Sequence, residues 1–304
     1  MIQPWRGIFA IANTPFDGAG HLLWDELDVV FDWVIRAGAH GLVWPVMASE
    51  FTSLTTEERI RGTQRAVEVA AGRVPVVIGV ADVCTDGAVA LARAAARFGA
   101  DGVIAMPPWA THMPAHLIPD YYRALAQASE LPIVVQNAGP PLGSSLPWRS
   151  VVALCEEIPQ VQYLKEEKVP QGQSLSEVID AGSPAVRGVF SGNQCMWLMA
   201  DHARGACGCM PASHMVDVDV RIWELLERGD LAQAEKVHRD KMVLENAVTS
   251  MRGGWLSAKE VLRRRGVISS AAIRNQGPLY VDPVESAVLD LALKTVSPHM
   301  TAHI

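Results

Sequence analysis

Lys165 and Glu167 are the residues whose types and spacing most directly indicate chemistry. Lys165 ends a short apolar run, residues 161–165, with the composition of a buried strand. A lysine in that position loses solvation, which favours its neutral amine, and such an amine attacks a ketone to form a Schiff base. Because side chains alternate along a strand, we expect Lys165 and Glu167 on the inward face and Glu166 on the outward face. The pattern predicts an amine and a carboxylate beside one bound molecule.

Both residues also have a non-catalytic interpretation. Lys165 can be a surface lysine at the end of a strand, and Glu167 can pair with Lys168 or cap a turn. The residues that end the other strands favour the chemical interpretation, so the elements that position them come next.

Short apolar runs alternate with amphipathic segments along most of the chain, and the first helix shows the 3.6-residue period between Trp24 and Ile35. Strands are predicted at 7–12, 41–46, 75–79, 102–106, 132–136, 161–165, 186–191 and 208–211. Helices are predicted near 24–37, 55–71, 86–98, 118–128, 148–158, 172–181, 195–204 and 218–228. Eight such units in order predict the α/β class and a (β/α)8 TIM barrel. No glycine-rich nucleotide motif follows the first strand.

The chain after the eighth unit changes character. Residues 230–304 carry no strand signal and predict helices near 230–248, 255–265 and 283–295. No low-complexity linker precedes them. We therefore predict two parts, a barrel at 1–229 and a C-terminal helical extension at 230–304 that packs on it.

Reactive groups of such barrels lie at the C-terminal ends of the strands and in the loops that follow them. The candidates there are Ser49 and Glu50 after strand two, Trp109 after strand four, Gln136 and Asn137 at strand five, Lys165 and Glu167 at strand six, Gly192 after strand seven, and Met210 and His214 after strand eight. Glu50 is expected to brace its own loop. Trp109 is expected to close the pocket or the site of an adjacent subunit.

Composition and charge exclude several classes of protein. The 304 residues are 49% hydrophobic, which is enough for a sizeable core, and the net charge is −7. A negative chain repels phosphates, so nucleic-acid and anionic-membrane partners are not expected. No apolar stretch reaches the length of a membrane span, and the N-terminus lacks the apolar core of a signal peptide. These features predict a cytoplasmic protein.

Cysteine and histidine residues give no metal signal. Five cysteines in a chain of this length suggest reduced thiols, with Cys207 and Cys209 buried as apolar groups. His112 and His116 have the spacing of neighbours on a helix, but Pro114 between them interrupts it. We expect no metal site.

The order and spacing of several short segments carry a resemblance to a known family. They are Asn13-Thr14-Pro15-Phe16, Ser49-Glu50, Gly72-Arg73-Val74-Pro75, Met106-Pro107-Pro108, Leu164-Lys165-Glu166 and Ser191-Gly192. Over essentially its whole length the chain resembles the dihydrodipicolinate synthase/N-acetylneuraminate lyase family of class I Schiff-base barrels. The resemblance implies that Lys165 forms the Schiff base with a 2-oxo acid, that no cofactor is needed, and that the protein is a homotetramer built from dimers.

Departures from the family pattern narrow the activity. Gln136 stands where most members have a proton-relay tyrosine, and Gln cannot titrate. Met47 and Ala48 replace the family's paired hydroxyls, and Pro141 replaces an arginine used by dihydrodipicolinate synthases. With Gln at this position the chain resembles the 2-keto-3-deoxy-sugar-acid dehydratases, notably the L-2-keto-3-deoxyarabonate dehydratases. The resemblance to this branch includes the segment Gly253-Gly254-Trp255-Leu256-Ser257-Ala258-Lys259. Asn137 and Asn193-Gln194 replace acidic residues of that branch.

The resemblance implies a Schiff-base lyase on a small 2-oxo acid, with dehydration of a 2-keto-3-deoxy sugar acid as the leading activity. Lys165, Glu167 and Gln136 are the catalytic candidates, with Glu167 as the favoured acid–base group. Substrate-binding candidates are Met47, Ala48, Ser49, Trp109, Asn137, Gly192, Met210 and His214. Backbone N–H groups near Ala48 and Ser49 are expected to hold the substrate carboxylate. Two alternatives stay open: a pyruvate-releasing aldolase or hydratase-aldolase, and a barrel that binds without catalysis.

Overall fold

Eight parallel strands close into a barrel in the order of the chain, β1 to β8, with β8 hydrogen-bonded to β1. The computed structural model describes residues 4–110, 113–139 and 145–302. The strands are β1 Gly7–Ile11, β2 Gly41–Trp44, β3 Val76–Gly79, β4 Gly102–Ala105, β5 Ile133–Asn137, β6 Val161–Glu166, β7 Gly188–Ser191 and β8 Gly208–Cys209. The predicted TIM barrel is confirmed.

A helix follows each strand and covers the outside of the barrel. The helices are α1 Trp24–Arg36, α2 Thr56–Ala70, α3 Thr85–Phe98, α4 Ile118–Ser129, α5 Trp148–Glu157, α6 Gln171–Asp180, α7 Leu198–Ala203 and α8 Val216–Glu227. The predicted start of α2 has a reciprocal cap, because the Thr55 hydroxyl accepts from Glu58 N at 3.1 Å and Thr55 N donates to the Glu58 carboxylate at 2.9 Å.

Two boundaries near the mouth of the barrel differ from the prediction. The helix predicted at 195–204 begins only at Leu198, because a 3-10 turn at Asn193–Cys195 precedes it. The strand predicted at 208–211 ends at Cys209. Pro211, which lacks a backbone donor, follows soon after. Both segments bring irregular backbone to the C-terminal ends of β7 and β8.

Aromatic side chains fill the lower part of the barrel interior. Phe190 contacts both Phe9 and Tyr163, with ring centroids 5.0 Å and 6.0 Å away. The Tyr163 hydroxyl accepts a hydrogen bond of 3.0 Å from Trp5 N, which closes the N-terminal end. Tyr163 precedes Lys165 by two residues on β6, so both point inward, with Lys165 one layer nearer the mouth.

The C-terminal extension forms three more helices, α9 Leu231–Ser250, α10 Ala258–Arg264 and α11 Pro283–Val296. A buried ion pair joins it to the barrel, between Lys259 at the start of α10 and Glu50 in the loop after β2. Arg274 N also donates to the Glu50 carboxylate at 2.9 Å. Glu50 therefore braces its loop against the extension. Division of the chain after residue 229 stays a prediction.

Cys195 and Cys209 form a disulfide between the turn after β7 and the end of β8. The expectation of reduced thiols, with Cys209 as a buried apolar group, is therefore wrong for this pair. The pairing depends on the turn at Asn193–Cys195, which the sequence did not indicate. Cys155 and Cys207 are buried free thiols, and burial raises the pKa of Cys155 to about 12.

Two further predictions concern membranes and metals. Among the described helices, none is both long enough and apolar enough to cross a membrane. In the ranges 4–110, 113–139 and 145–302, no three His, Cys, Asp or Glu side chains are grouped as metal ligands. His112, which was considered together with His116 as a possible pair of metal ligands, lies outside the described residues, as does Pro141.

Candidate active site

Lys165 lies inside the barrel near the C-terminal end of β6, with its side chain 2% exposed. Its Nζ is 2.9 Å from Oε1 of Glu167. The two side chains share the inward face, as the alternation along the strand predicted. A buried amine thus has a carboxylate beside it that can accept its proton.

Gln136 on β5 is the neighbour of Lys165 across the sheet. Its Nε2 donates a hydrogen bond of 2.8 Å to Oε2 of Glu167. The two oxygens of Glu167 are therefore committed to different partners, one to the lysine and one to the amide. Gln136 orients the carboxylate without being able to exchange a proton with it.

Glu166 and Asn137 lie on the outward side of the same strands. Asn137 Nδ2 donates to Glu166 Oε2 at 2.9 Å, and the Asn137 amide also bonds both the N–H and the carbonyl of Leu146. Ser174 donates to the same oxygen of Glu166 at 2.7 Å. Burial raises the pKa of Glu166, and the bonds from Asn137 and Ser174 oppose that rise.

The assignment of Asn137 to substrate binding is therefore wrong. Because Gln136 points inward, its neighbour on β5 points outward, and the amide of Asn137 is used up by Glu166 and Leu146. Its observed contacts fix the segment at Leu146 against β5 and β6.

A cavity of about 210 Å³ opens above Lys165. Its walls come from β1, the β2 loop, β6, the turn after β7, the end of β8 and the extension. The lining residues are Ile11, Met47, Ala48, Lys165, Glu167, Asn193, Gln194, Met196, Met210, Thr249 and Trp255. Met47, Ala48 and Met210 were predicted, and the structure brings them together with Lys165 and Glu167. The volume fits a small molecule.

The loop after β2 forms a 3-10 helix at Met47–Ser49. The Ser49 hydroxyl donates to Ala12 O at 2.7 Å and its N–H donates to Val46 O at 2.9 Å. Ser49 is thus fully occupied within the protein, and its assignment to substrate binding is wrong. The first amides of such a helix, at Met47 and Ala48, have no partner within it and are the available donors.

Gly192 makes room for Glu167. A Cβ atom at position 192 would lie 2.3 Å from Cγ of Glu167, which no real contact allows. Gly192 does not itself line the cavity in the described residues. Its contribution is close packing against the side chain of Glu167.

Two predicted binding residues lie elsewhere. Trp109 packs edge-on against Phe51, with ring centroids 5.1 Å apart, and lines a separate cavity with Arg59 and Asp82. His214 is 1% exposed, and its Nε2 is 3.1 Å from Glu245 on α9. The 3-10 turn at Ser213–Met215 directs His214 behind the cavity, so its assignment to substrate binding is wrong. Trp109 likewise does not line the cavity that contains Lys165.

Sequence reasoning missed several lining residues. Thr249 and Trp255 come from the extension, and Met196 from the segment before α7. Asn193 was predicted to lie at the C-terminal end of strand seven but was not assigned a binding role, and Gln194 was noted only as a departure from a family branch. Trp255 lies in a segment that carried the resemblance, which was the available signal. Thr249 and Met196 reach the cavity by long-range packing and had no local signal.

A (β/α)8 barrel that holds a buried lysine beside a carboxylate at its mouth has the architecture of an enzyme, and comparisons with known proteins give its family. The Dihydrodipicolinate synthetase family matches residues 4–284, and the chain belongs to this family. Its enzymes are lyases, aldolases and synthases that act through a catalytic lysine Schiff base and need no added cofactor.

Individual relatives differ in activity. The chain is 33% identical over 290 residues to an L-2-keto-3-deoxyarabonate dehydratase of Azospirillum brasilense, covering 94% of this chain and 93% of the relative. It is 28% identical to a probable 2-dehydro-3-deoxy-D-pentonate aldolase of Escherichia coli K12, covering 80% and 81%. A Ruminococcus gnavus sialic acid aldolase structure superposes with a TM-score of 0.89 at 20% identity, covering 98% of each chain.

Proposed function

We propose that the protein is a hydro-lyase that removes water from a 2-keto-3-deoxy sugar acid, such as L-2-keto-3-deoxyarabonate, through a Schiff base on Lys165. The observation that carries the proposal is the contact of 2.9 Å between Nζ of the buried Lys165 and Oε1 of the partly exposed Glu167, at the wall of a small cavity. The 33% identity to a dehydratase of that substrate supports the choice of reaction.

Glu167 moves the protons in this mechanism. It takes a proton from the Lys165 ammonium, and the neutral amine adds to the C2 carbonyl of the substrate. Glu167 returns that proton to the C2 oxyanion, takes a second proton from the nitrogen and gives it to the resulting C2 hydroxyl, which leaves as water and gives an iminium. The iminium withdraws electrons and acidifies C3, so Glu167 removes a C3 proton and an enamine forms. The enamine expels the C4 hydroxyl, which leaves as water with the proton from Glu167, and hydrolysis frees the product and Lys165.

Other lining groups have proposed binding roles. The amides of Met47 and Ala48, at the start of a 3-10 helix, are the proposed donors to the substrate carboxylate. Asn193, Gln194 and Thr249 are the polar side chains left to meet hydroxyls of the substrate chain. Gln136 is proposed as a positioning residue for Glu167.

A pyruvate-releasing aldolase is the second candidate. Three methionines line the cavity, Met47, Met196 and Met210, and thioethers suit a less hydroxylated substrate. An aldolase would use the same iminium to break the C3–C4 bond. The similarity to a probable 2-dehydro-3-deoxy-D-pentonate aldolase supports this candidate.

Trapping with pyruvate and borohydride tests the Schiff base. The wild-type protein is expected to gain one reduced pyruvate adduct, and peptide mapping should locate it on Lys165. Lys165→Arg should gain none, whereas the neighbouring Lys168→Arg should be labelled like the wild type. A wild-type protein that stays unlabelled, or is labelled elsewhere, would instead support a barrel that binds without catalysis.

Product analysis separates dehydration from cleavage. L-2-keto-3-deoxyarabonate is incubated with the wild-type protein, and the products are resolved by mass spectrometry. A single product lighter than the substrate by one water supports the hydro-lyase. Pyruvate together with an aldehyde would contradict it and support the aldolase.

The proposed assembly is a cytoplasmic homotetramer built from two dimers. Members of the family are typically homotetramers that act on small 2-oxo acids. Light scattering coupled to size-exclusion chromatography tests this assembly. The expected mass is that of four chains, and a monomer at assay concentration would contradict it.

A further inference from the structure

Lys241 on α9 is a fully buried cation outside the proposed catalytic pair, with its side chain 0% exposed. Its Nζ contacts Asp219 Oδ1 on α8 at 2.5 Å and Glu245 Oε1 on α9 at 3.5 Å. It also donates a hydrogen bond of 2.6 Å to the backbone carbonyl of Gln194. This third contact connects the extension to the cavity, because Gln194 is one of the residues that line it.

The backbone that Lys241 contacts has an unusual conformation. Asn193, Gln194 and Cys195 have φ values of 48°, 56° and 58°. Residues other than glycine avoid this left-handed region because Cβ approaches the backbone carbonyl. Three in succession persist only where the surroundings hold them.

Several contacts hold this turn from different sides. The Gln194 side chain accepts a hydrogen bond of 2.8 Å from Ala212 N, and Asn193 Nδ2 donates to Gln171 Oε1 at 2.7 Å. The disulfide from Cys195 to Cys209 fixes its far end. Among these contacts, only the hydrogen bond from Lys241 to the backbone carbonyl of Gln194 has a charged donor. Hydrogen bonds from charged donors are the stronger kind.

Stability alone does not account for the buried charges around Lys241. Buried ion pairs lose solvation, and well-packed apolar residues often replace them at no cost. Burial opposes the charge of Lys241, but Asp219 and Glu245 outweigh burial and raise the pKa of its ammonium. His214 lies against Glu245 in the same cluster. The cluster therefore keeps a permanent cation aimed at the carbonyl of Gln194.

We infer that Lys241 is a positioning residue, whose ammonium, anchored by Asp219 and Glu245, fixes the turn at Asn193–Cys195 so that Asn193 and Gln194 contact the substrate beyond C3. The inference rests on the proposed function. The Schiff base fixes C2 at Lys165, so a wall formed by Asn193 and Gln194 is left to the rest of the chain. A longer 2-oxo acid should depend on this wall, and pyruvate should not.

Half-saturating concentrations for borohydride trapping test the inference, measured with pyruvate and with L-2-keto-3-deoxyarabonate. Lys241→Met removes the donor at similar length, and Lys241→Met with Asp219→Asn also removes the uncompensated buried carboxylate. Lys236→Met, an exposed lysine on the same helix, is the matched control. The double variant provides the measurement if Lys241→Met folds poorly.

We expect both Lys241 variants to need about ten-fold more of the longer acid, as loss of one charged hydrogen bond predicts, with the value for pyruvate within about two-fold of wild type. Lys236→Met should match the wild type with both acids. Equal values for all proteins, or equal increases with both acids, would overturn the inference while the Lys165 adduct still supports the proposed function. A wild-type protein without that adduct would overturn the proposed function first, and the inference with it.

Discussion

Nε2 of Gln136 donates a hydrogen bond of 2.8 Å to Oε2 of Glu167. The other oxygen of that carboxylate faces Lys165 at 2.9 Å. An amide at this position has no proton to exchange, so its contact with Glu167 is one of orientation. In the proposed mechanism every proton therefore passes through Glu167, and the effects of changing the two residues should differ in kind.

Gln136→Leu keeps the size of the side chain but removes the hydrogen bond. We expect kcat to fall by about ten-fold, since a net hydrogen bond of about 1.4 kcal/mol to a charged group orients Glu167. Trapping of pyruvate on Lys165 should persist. Gln136→Asn, which retains an amide on a shorter side chain, is the comparison variant. Loss of the Lys165 adduct in Gln136→Leu would contradict a purely orienting role.

Glu167→Gln removes the proposed acid–base group and nearly preserves its shape. Loss of a general acid–base residue reduces turnover by about 10² to 10⁴, and we expect a decrease in kcat of that size. Exchange of the C3 protons of pyruvate into deuterated water should slow by a similar factor. Glu177→Gln, at an exposed carboxylate on α6, is the control and should behave as wild type. If Glu167→Gln exchanged the C3 protons of pyruvate at the wild-type rate, a group other than Glu167 would be the base.

Alternation along strands explains what the sequence predicted well. It placed Lys165 and Glu167 inward and Glu166 outward, and all three lie where expected. The same rule applied to Gln136 would have turned Asn137 outward, so that error was avoidable. Strand order and the start of α2 likewise depend on local patterns that a single sequence contains.

The missed residues depend on geometry that no local pattern records. Left-handed residues in the turn at Asn193–Cys195 bring Cys195 to Cys209, across 14 positions of sequence. Thr249 reaches the cavity from the C-terminal end of α9, an element of the extension that is far from the barrel strands in sequence. His214 faces away from the cavity because a short 3-10 turn interrupts the alternation after β8.

Lys259 and Glu50 should be strongly coupled in stability, since both are buried and join the extension to the barrel. Burial raises the pKa of Glu50 and lowers the pKa of Lys259, while each partner opposes the shift of the other. Lys259→Met leaves the carboxylate buried without its cation, and we expect the free energy of unfolding to fall by about 3–5 kcal/mol.

A double-mutant cycle with Glu50→Gln measures this coupling by urea denaturation. The double variant should recover part of the loss, because no buried charge is left unpaired. Lys236→Met, at an exposed position on α9, should leave stability unchanged. Strictly additive losses would mean that the two side chains act independently.

The ion pair of Glu227 with Arg6, at the N-terminal end of the barrel, should make the stability of the protein depend on pH. Both guanidinium contacts from Arg6 reach its carboxylate, at 2.9 and 2.6 Å, and His202 lies 2.8 Å away. The hydrogen bonds from Arg6 outweigh burial and, with His202, lower the pKa of Glu227 from 4.5 to about 2. A depressed carboxylate pKa stabilises the fold above about pH 4.5, and this contribution is lost as the pH falls towards 2.

Glu227→Gln should therefore destabilise the protein at neutral pH and matter less in acid. Because the side chain of Glu227 is 34% exposed, solvent screens the pair, and we expect a difference of about 0.5–1 kcal/mol at pH 7. Urea denaturation from pH 7 to about pH 3 should show the variant and the wild type converging as Glu227 takes up a proton in the unfolded chain. Glu224→Gln, in a looser and more exposed pair with Arg228 at 3.5 Å, is the control, and its difference from wild type at pH 7 should be smaller. The charge on Glu227 predicts that the difference in the free energy of unfolding between Glu227→Gln and wild type shrinks in acid. A difference that stays constant or grows as the pH falls would mean that the variant loses packing rather than an ion pair.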